Sequence, residues 1–332
     1  LERIIAGDWL FAGMIYRLQV QPYQRPFRQP LQTHHGHWDI REGLWVGLER
    51  SDGFIGWGEV APIPWFGTET LAAAVAFLTS LPPTLSAQDL WTVPNTLPCC
   101  QFGLGSAYQS ATGDSPLFIA GTVPLSFCGL LPTGAAALEA WPTLWQRGHH
   151  TLKWKIAVQP VAIELDLFQQ LTTMLPSGAT LRLDANGGLT VAEAQQWLTH
   201  LDQPHPITIE YLEQPLPPAE FTAMVQLSQM FTTPLALDES VATLAQLEQC
   251  YQQGWPSVMV IKPTITGYPQ RLSQFLKNYP IDAVFSSAFE TEVGRSTALS
   301  LAQSFNSPQR ALGFSVNPWF LETADEFGVE PQ

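Results

Sequence analysis

Between residues 123 and 288 the chain repeats one pattern: a short apolar run, then an amphipathic stretch, at intervals of about 25–30 residues. The runs are VPLSFCGLL (123–131), TLKWKIA (151–157), TLRLDA (180–185), ITIEYLE (207–213), PLALDES (234–240), SVMVIKP (257–263) and DAVFSSA (282–288). Between them lie VAIELDLFQQLTTML, VAEAQQWLTHL, PAEFTAMVQLSQM and VATLAQLEQCYQQG, each with helical spacing of its apolar residues. Strands that alternate with helices must pair in parallel, because each helix carries the chain back across the sheet. Seven or eight such units predict a closed (β/α) barrel.

The first part of the chain has another texture. IYRLQV, LWVGLER and FIGWGEV are β-rich and are broken by SDG and by proline-rich segments. LAAAVAFLTSL (71–81) and a stretch around residues 100–111 read as helices. Strands followed by helices predict an α+β domain over residues 14–120, with the barrel over 121–311. Strand-like sequence begins at Met14, so residues 1–13 are expected to be an extension. The segment 312–332 is expected to supply a last strand or loop and then return to the first domain. A length of 332 residues suits this division, and at 45% hydrophobic the chain can fill a large core.

Charge narrows the function. The formal net charge is −14, so nucleic acid is an unsuitable partner: its phosphates need Lys and Arg. No run approaches the roughly 18 apolar residues of a membrane span. Cys99, Cys100, Cys128 and Cys250 show no zinc-ligand spacing, and their number and arrangement suggest a reducing, cytoplasmic setting.

The ends of the strands carry the chemistry. In such barrels functional groups sit at the C-terminal strand ends, on one face. TLKWK ends in Lys153 and Lys155, LRLD in Asp184, IEYLE in Glu213, LALD in Asp238, VMVIK in Lys262 and AVFSS in Ser286 and Ser287. Singly, an acidic residue there is usually a helix cap and a lysine a solvated charge. Here five successive apolar strands end in charge, in a chain that is only 13% charged. Asp184, Glu213 and Asp238 are each one βα unit apart, so the three carboxylates converge on one rim. Three such groups repel unless a cation lies among them. Hard oxygen donors suit Mg²⁺, with Mn²⁺ a second choice. An ammonium beside a divalent cation and a second ammonium has its charged form disfavoured and can act as a base. His34, His35 and His37 form another cluster, read as a turn of the first domain rather than a metal site. His149 and His150 are expected at the N-terminal end of the lysine strand, away from the catalytic face.

The series KWK (153–155), RLDAN (182–186), EYLEQP (210–215), LDES (237–240) and IKPTITG (261–267) resembles the enolase superfamily, in its muconate lactonizing enzyme subgroup. The resemblance spans nearly the whole chain. It implies a capping domain followed by a modified (β/α)7β barrel. It also implies Asp184, Glu213 and Asp238 as Mg²⁺ ligands, Lys155 as base, Lys262 as the opposite lysine and Lys153 as its electrostatic support, with Asn186 and Glu239 behind the metal ligands. Lysine bases with Mg²⁺ are the general pattern of enolase-superfamily sites.

Within the subgroup, GWGEVAPIPWFGTET (56–70), IKPTITG followed by Tyr268, and FSSAFETEVG (285–294) are similar to the o-succinylbenzoate synthases. Thr291 stands where that family more often has a serine. This resemblance implies the dehydration of 2-succinyl-6-hydroxy-2,4-cyclohexadiene-1-carboxylate to o-succinylbenzoate, in menaquinone or phylloquinone synthesis. Lys155 would remove the proton α to the carboxylate, Lys262 would stabilise the resulting dianion, and protonated Lys155 would assist the loss of water in a syn elimination. Ser286, Ser287 and Gly313 would meet the succinyl end. An N-acylamino-acid racemase would use the same residues, and a catalytically inactive binding barrel is a further alternative. The segment FSSAFETEVG lacks the paired acids of a DxD type with which dipeptide epimerases hold an ammonium group.

Overall fold

The computed structural model describes residues 14–33, 36–113, 125–305, 310–316 and 319–321. The extension 1–13, His34, His35, the expected boundary at 120/121 and residues 322–332 lie outside them.

The first domain is an antiparallel sheet of four strands in the order β3-β2-β1-β4: β1 Ile15–Thr33, β2 Gly36–Glu49, β3 Ile55–Val60 and β4 Thr84–Ser86. The strand β1 is 19 residues long and runs through Pro22, Pro26 and Pro30, where the sequence suggested breaks. The prolines are tolerated because β4 covers β1 only at Ile15–Arg17, and beyond it that edge is met, among the described residues, by one bridge, Phe27 to Phe320. The Pro26 carbonyl points to that edge and accepts from the Leu321 amide at 3.0 Å. Pro22 has the same parity, so its missing N–H falls on the same side.

Two helices cover this sheet, α1 Leu71–Ser80 and α2 Pro98–Thr112. Proline at the first turn starts α2 at no hydrogen-bond cost. Glu69 accepts from the first amides of α2, Cys99 N at 3.1 Å and Cys100 N at 2.8 Å. The α2 backbone lies directly on β3: a Cβ at Gly58 would overlap the Gly103 carbonyl oxygen, and one at Gly56 would overlap that of Ala107. The GWG spacing therefore leaves one face of β3 bare for the helix.

The second domain is a parallel sheet of seven strands in sequential order: β5 Gly129–Leu130, β6 Thr151–Lys155, β7 Thr180–Asp184, β8 Thr208–Glu213, β9 Leu235–Leu237, β10 Val258–Ile261 and β11 Asp282–Phe285. Leu312 and Gly313 close the ring. Leu312 bridges Phe127 ahead of β5, and Gly313 bridges Ser286 beyond β11. Outside the ring lie α3 Ala137–Gln146, α4 Val161–Met174, α5 Val191–Leu201, α6 Phe221–Met230, α7 Leu244–Gln252, the single turn α8 Pro263–Thr266, α9 Pro269–Asn278 and α10 Glu292–Ser304. This is the barrel preceded by an α+β domain that the sequence pattern predicts, with the capping arrangement that the resemblance implies.

Period two sorts the strand residues. Leu152, Trp154, Leu181, Leu183, Leu212, Leu235, Leu237, Met259, Ile261 and Phe285 face outward and pack with the helices in the larger core. Tyr211, Ala236, Val258, Val260 and Val284 form a separate, smaller cluster that fills the barrel. Beneath them, Arg182 pairs with Glu210 (2.7 Å), which also pairs with Arg310 (2.6 Å), and Arg310 pairs with Asp282 (2.6 Å). The lower end is thus closed by ion pairs between β7, β8, β11 and the closing segment. His149 and His150 immediately precede β6, at its N-terminal end, and His149 Nδ1 lies 2.9 Å from the Phe127 carbonyl.

Close backbone contact between β3 and α2 makes a direct test of the first domain. Gly58→Ala should destabilise the protein by about 2 kcal/mol, because the added methyl meets backbone that cannot yield easily. Denaturant unfolding of the two proteins measures the difference.

Candidate active site

The same alternation that fills the barrel brings charge to its upper rim. Lys153 and Lys155 alternate with outward Leu152 and Trp154, so both ammonium stems enter the ring. In register, Lys155 lies beside Asp184 and Asp184 beside Glu213. Asp238 follows β9 and Lys262 follows β10. The strands β6 and β10 thus flank three consecutive strands that carry carboxylates, with one lysine-bearing strand on each side.

The charges are buried and matched. Glu213 is wholly buried, and Asp184, Asp238 and Lys262 are nearly so. Lys153 Nζ lies 2.7 Å from Asp184 Oδ2 and 2.7 Å from Glu213 Oε1. Lys262 Nζ pairs with Asp238 Oδ1. By contrast, Lys155 has no hydrogen bond or ion pair among the described residues. Burial works against the Asp184 carboxylate, but the Lys153 ammonium and the Asn186 amide outweigh it and hold its pKa below the usual range. Glu213 goes the other way: burial and the neighbouring Asp184 push it up to about 8.

Asn186, at φ 43°, turns back so that its amide donates to Asp184 Oδ1 at 3.0 Å and its side chain to Glu239 Oε1 at 3.0 Å. Burial and Asp238 push Glu239 up to about 7. Ser286, just beyond β11, and Gly313 of the closing segment are brought together by a bridge, and a Cβ at Gly313 would lie 2.6 Å from Ser286 Oγ. The Ser287 hydroxyl turns into its own loop, donating to Glu290 Oε1 at 2.8 Å and accepting from Phe289 N at 2.9 Å.

Three residues with no expected role also shape the rim. Gln214, at φ 36°, is wholly buried; its Oε1 accepts from Asp238 N at 2.9 Å and Ser240 N at 3.2 Å. Its Nε2 donates to the Leu216 carbonyl and to Ser240 Oγ, both at 2.8 Å. The EYLEQP motif contained this residue, but nothing in its spacing reveals a bond to the next strand. Phe66 of the first domain lies 4.6 Å below Lys262 Nζ, ring face to ammonium. Tyr268, also wholly buried, donates to the Leu90 carbonyl at 2.7 Å and accepts from Val93 N at 3.2 Å, tying the segment after Lys262 to the first domain.

A divalent cation fits this donor set. Glu213 Oε2 and Glu239 Oε2 are buried with no hydrogen-bond partner among the described residues. Leaving such oxygens unpaired is costly, and an ion would satisfy them. As the side chains stand, ammonium groups lie against the three carboxylates, and no three acidic, histidine or cysteine groups among the described residues surround one point. The lysines thus supply part of the positive charge that the cluster demands.

With this geometry in view, comparison with known proteins is decisive. Residues 136–322 match the enolase C-terminal domain-like family, and residues 15–111 match the MenC N-terminal domain. The chain is 41% identical to an o-succinylbenzoate synthase of Thermosynechococcus vestitus, over 91% of this chain and 93% of that protein. The chain belongs to the o-succinylbenzoate synthase family of the enolase superfamily. The crystal structure of the o-succinylbenzoate synthase from Thermosynechococcus elongatus BP-1, complexed with Mg in its active site, superposes with a TM-score of 0.85 at 40% identity, covering 91% of this chain and 94% of that one. The L-Ala-D/L-Glu epimerase of Bacillus subtilis superposes at 0.77 with 20% identity, covering 93% and 91%, and shares the fold.

Gln214 offers a test of how this family member holds its rim. Gln214→Leu leaves the Asp238 and Ser240 amides unpaired and buried, so the protein should lose about 2 kcal/mol of stability. Thermal unfolding of the two proteins measures the difference.

Proposed function

We infer that the chain is a Mg²⁺-dependent lyase that converts 2-succinyl-6-hydroxy-2,4-cyclohexadiene-1-carboxylate to o-succinylbenzoate, in menaquinone or phylloquinone synthesis. The observation that carries this reading is 41% identity along nearly the whole length of an o-succinylbenzoate synthase, together with the MenC N-terminal domain. The four cysteines are buried and free, in keeping with a reducing, cytoplasmic setting. No helix among the described residues is long and apolar enough to cross a membrane.

In this reading Asp184, Glu213 and Asp238 hold Mg²⁺, with Asn186 and Glu239 behind them. Bound there, Mg²⁺ supplies the positive charge that offsets a substrate carboxylate as the adjacent carbon loses its proton. Lys155 is the base. Its charge acts on Asp184, but it makes no hydrogen bond or ion pair among the described residues, whereas Lys153 and Lys262 are both held by carboxylates, and this supports that role. Lys155 Nζ takes the proton α to the carboxylate, and the same ammonium then gives it to the departing hydroxyl, so that water leaves from the face that was deprotonated. Lys262, on the far side of the carboxylates, places its fixed charge over the delocalised anion. Lys153 keeps Asp184 and Glu213 in place and adds positive charge near the base. Ser286 and Gly313 form the wall for the succinyl end, with Ser287 fixing the loop behind it. Aromatisation makes the elimination favourable, so these residues need supply only a modest share of the driving force.

An N-acylamino-acid racemase is the second reading, because lysines on both flanks of the carboxylates could exchange a proton on either face of a carbon. Two assays separate the readings: loss of diene absorbance with the cyclohexadiene substrate, and polarimetry with N-succinyl-amino acids. A dedicated synthase bleaches the diene and leaves the optical rotation nearly unchanged; the opposite result moves the function to racemisation.

Three further outcomes are expected. Lys155→Ala should lower turnover on the order of 10³-fold, the scale of a lost general base, with unfolding free energy within about 0.5 kcal/mol of wild type. Retained turnover would sink the base assignment. Chelation with EDTA should abolish activity and lower the melting temperature, and Mg²⁺ should restore both, because an ion bound only by the folded state stabilises it. Asp238→Asn should blunt the rise in melting temperature on adding Mg²⁺.

A further inference from the structure

The loop from β11 to α10 carries Ser286 and is held from outside the barrel. Its last residue, Thr291, is the N-cap of α10, yet its side chain does not cap the helix. Glu59, at the end of GWGE in β3, does so from the other domain. The Glu59 carboxylate accepts from Thr291 N (2.9 Å), Thr291 Oγ1 (2.5 Å) and Gly294 N (2.9 Å), and from the Tyr23 hydroxyl. Glu59 is wholly buried. A buried carboxylate is expensive unless every lone pair is used, and a helix N-terminus is where its charge is best accommodated.

The rest of the loop is gripped in the same way. Phe289 sits at φ 62°, a strained backbone for a bulky residue that persists only where its surroundings enforce it. Its ring meets Phe27 (5.5 Å) and Trp38 (5.4 Å) edge-on, both on the first domain. Arg25 donates to the Glu290 carbonyl at 2.8 Å, and Trp45 to Thr291 Oγ1 at 3.1 Å. At its other end the loop is pinned to the barrel, Ser286 N to Ile261 O at 2.8 Å and Ser287 N to Gly313 O at 3.0 Å.

The geometry points to Glu59 as a positioning residue for the lyase reaction: from the capping domain, it fixes the N-terminus of α10 and thereby the Ser286–Gly313 wall against which the substrate tail rests. This rests on the reading of the site as a synthase. Glu59 touches no reacting atom. Its loss should therefore loosen substrate binding and spare the chemistry at Lys155.

The test compares wild type with Glu59→Gln, which keeps the volume but cannot accept at every position. KM should rise about tenfold while kcat stays within about threefold, the pattern of lost uniform binding. Amide hydrogen exchange should quicken across residues 286–294 and stay unchanged across 180–213. Thr291→Val, which removes one donor, should raise KM about threefold, and Thr291→Ser, which restores the hydroxyl, should return it to the wild-type value. This pair decides the matter if Glu59→Gln does not fold. Faster exchange with an unchanged KM would make the joint a structural fastening only and overturn the proposal. So would a fall in kcat at constant KM. An inactive wild type would overturn the synthase reading itself, a result distinct from either.

Discussion

Like charges forced together govern this molecule. The strands β7, β8 and β9 deliver Asp184, Glu213 and Asp238 to one rim because each is a single βα unit from the next. Unscreened, that rim would be intolerable: Glu213 is wholly buried and its carboxyl is pushed up to about 8, chiefly by burial and then by Asp184. Every compensating feature is arranged around this. Lys153 reaches two of the carboxylates and Lys262 the third. The Asn186 amide meets Asp184, and Gln214 locks the backbone at Asp238. The positive φ values at Asn186 and Gln214 lie in this ring of residues, where backbone strain serves to aim a donor or acceptor.

The capping domain is the second half of that solution. The catalytic rim of a (β/α) barrel is open by construction, and buried charge needs a cover. The cover is fixed at two strand ends. Beyond β10, Tyr268 bonds the Leu90 and Val93 backbone; beyond β11, Glu59 bonds the start of α10. Between these fastenings, Phe66 lies against Lys262. The charged residue that faces the carboxylates on one side thus faces an aromatic ring of the other domain, so the two domains share one site.

Much of this was legible because the period of a strand and the length of a βα unit are rigid rules. Residues that end apolar runs at regular intervals can be placed on one face without coordinates, and the rim residues Lys153, Asp184, Glu213, Asp238 and Lys262 were read that way. What was hidden depended on contacts far apart in sequence. Nothing local announces that Gln214 serves the next strand or that Glu59 caps a helix 232 residues later. The course of β1 through three prolines also escaped the pattern, since whether a proline breaks a strand depends on which edge is free. The closing segment at Leu312 and Gly313 is too short to carry periodicity, so the sequence leaves it as a strand or a loop, and its two bridges show that it closes the ring.

The shared fold with the Bacillus subtilis epimerase at 20% identity shows how much of the sequence can change while the architecture stays. The outward faces of the strands need only be apolar and of suitable volume, a demand that many sequences meet. The rim cannot vary so freely, because removing one charge leaves its partner buried and uncompensated. Residues that border the rim without carrying its charge balance, such as Ser286 and the fastenings between the domains, are freer to change. A change at Lys262 alters the charge of the whole cluster, whereas a change at Thr291 leaves the charges of the cluster as they are. Charge balance thus constrains the rim more tightly than volume constrains the faces that pack against the helices.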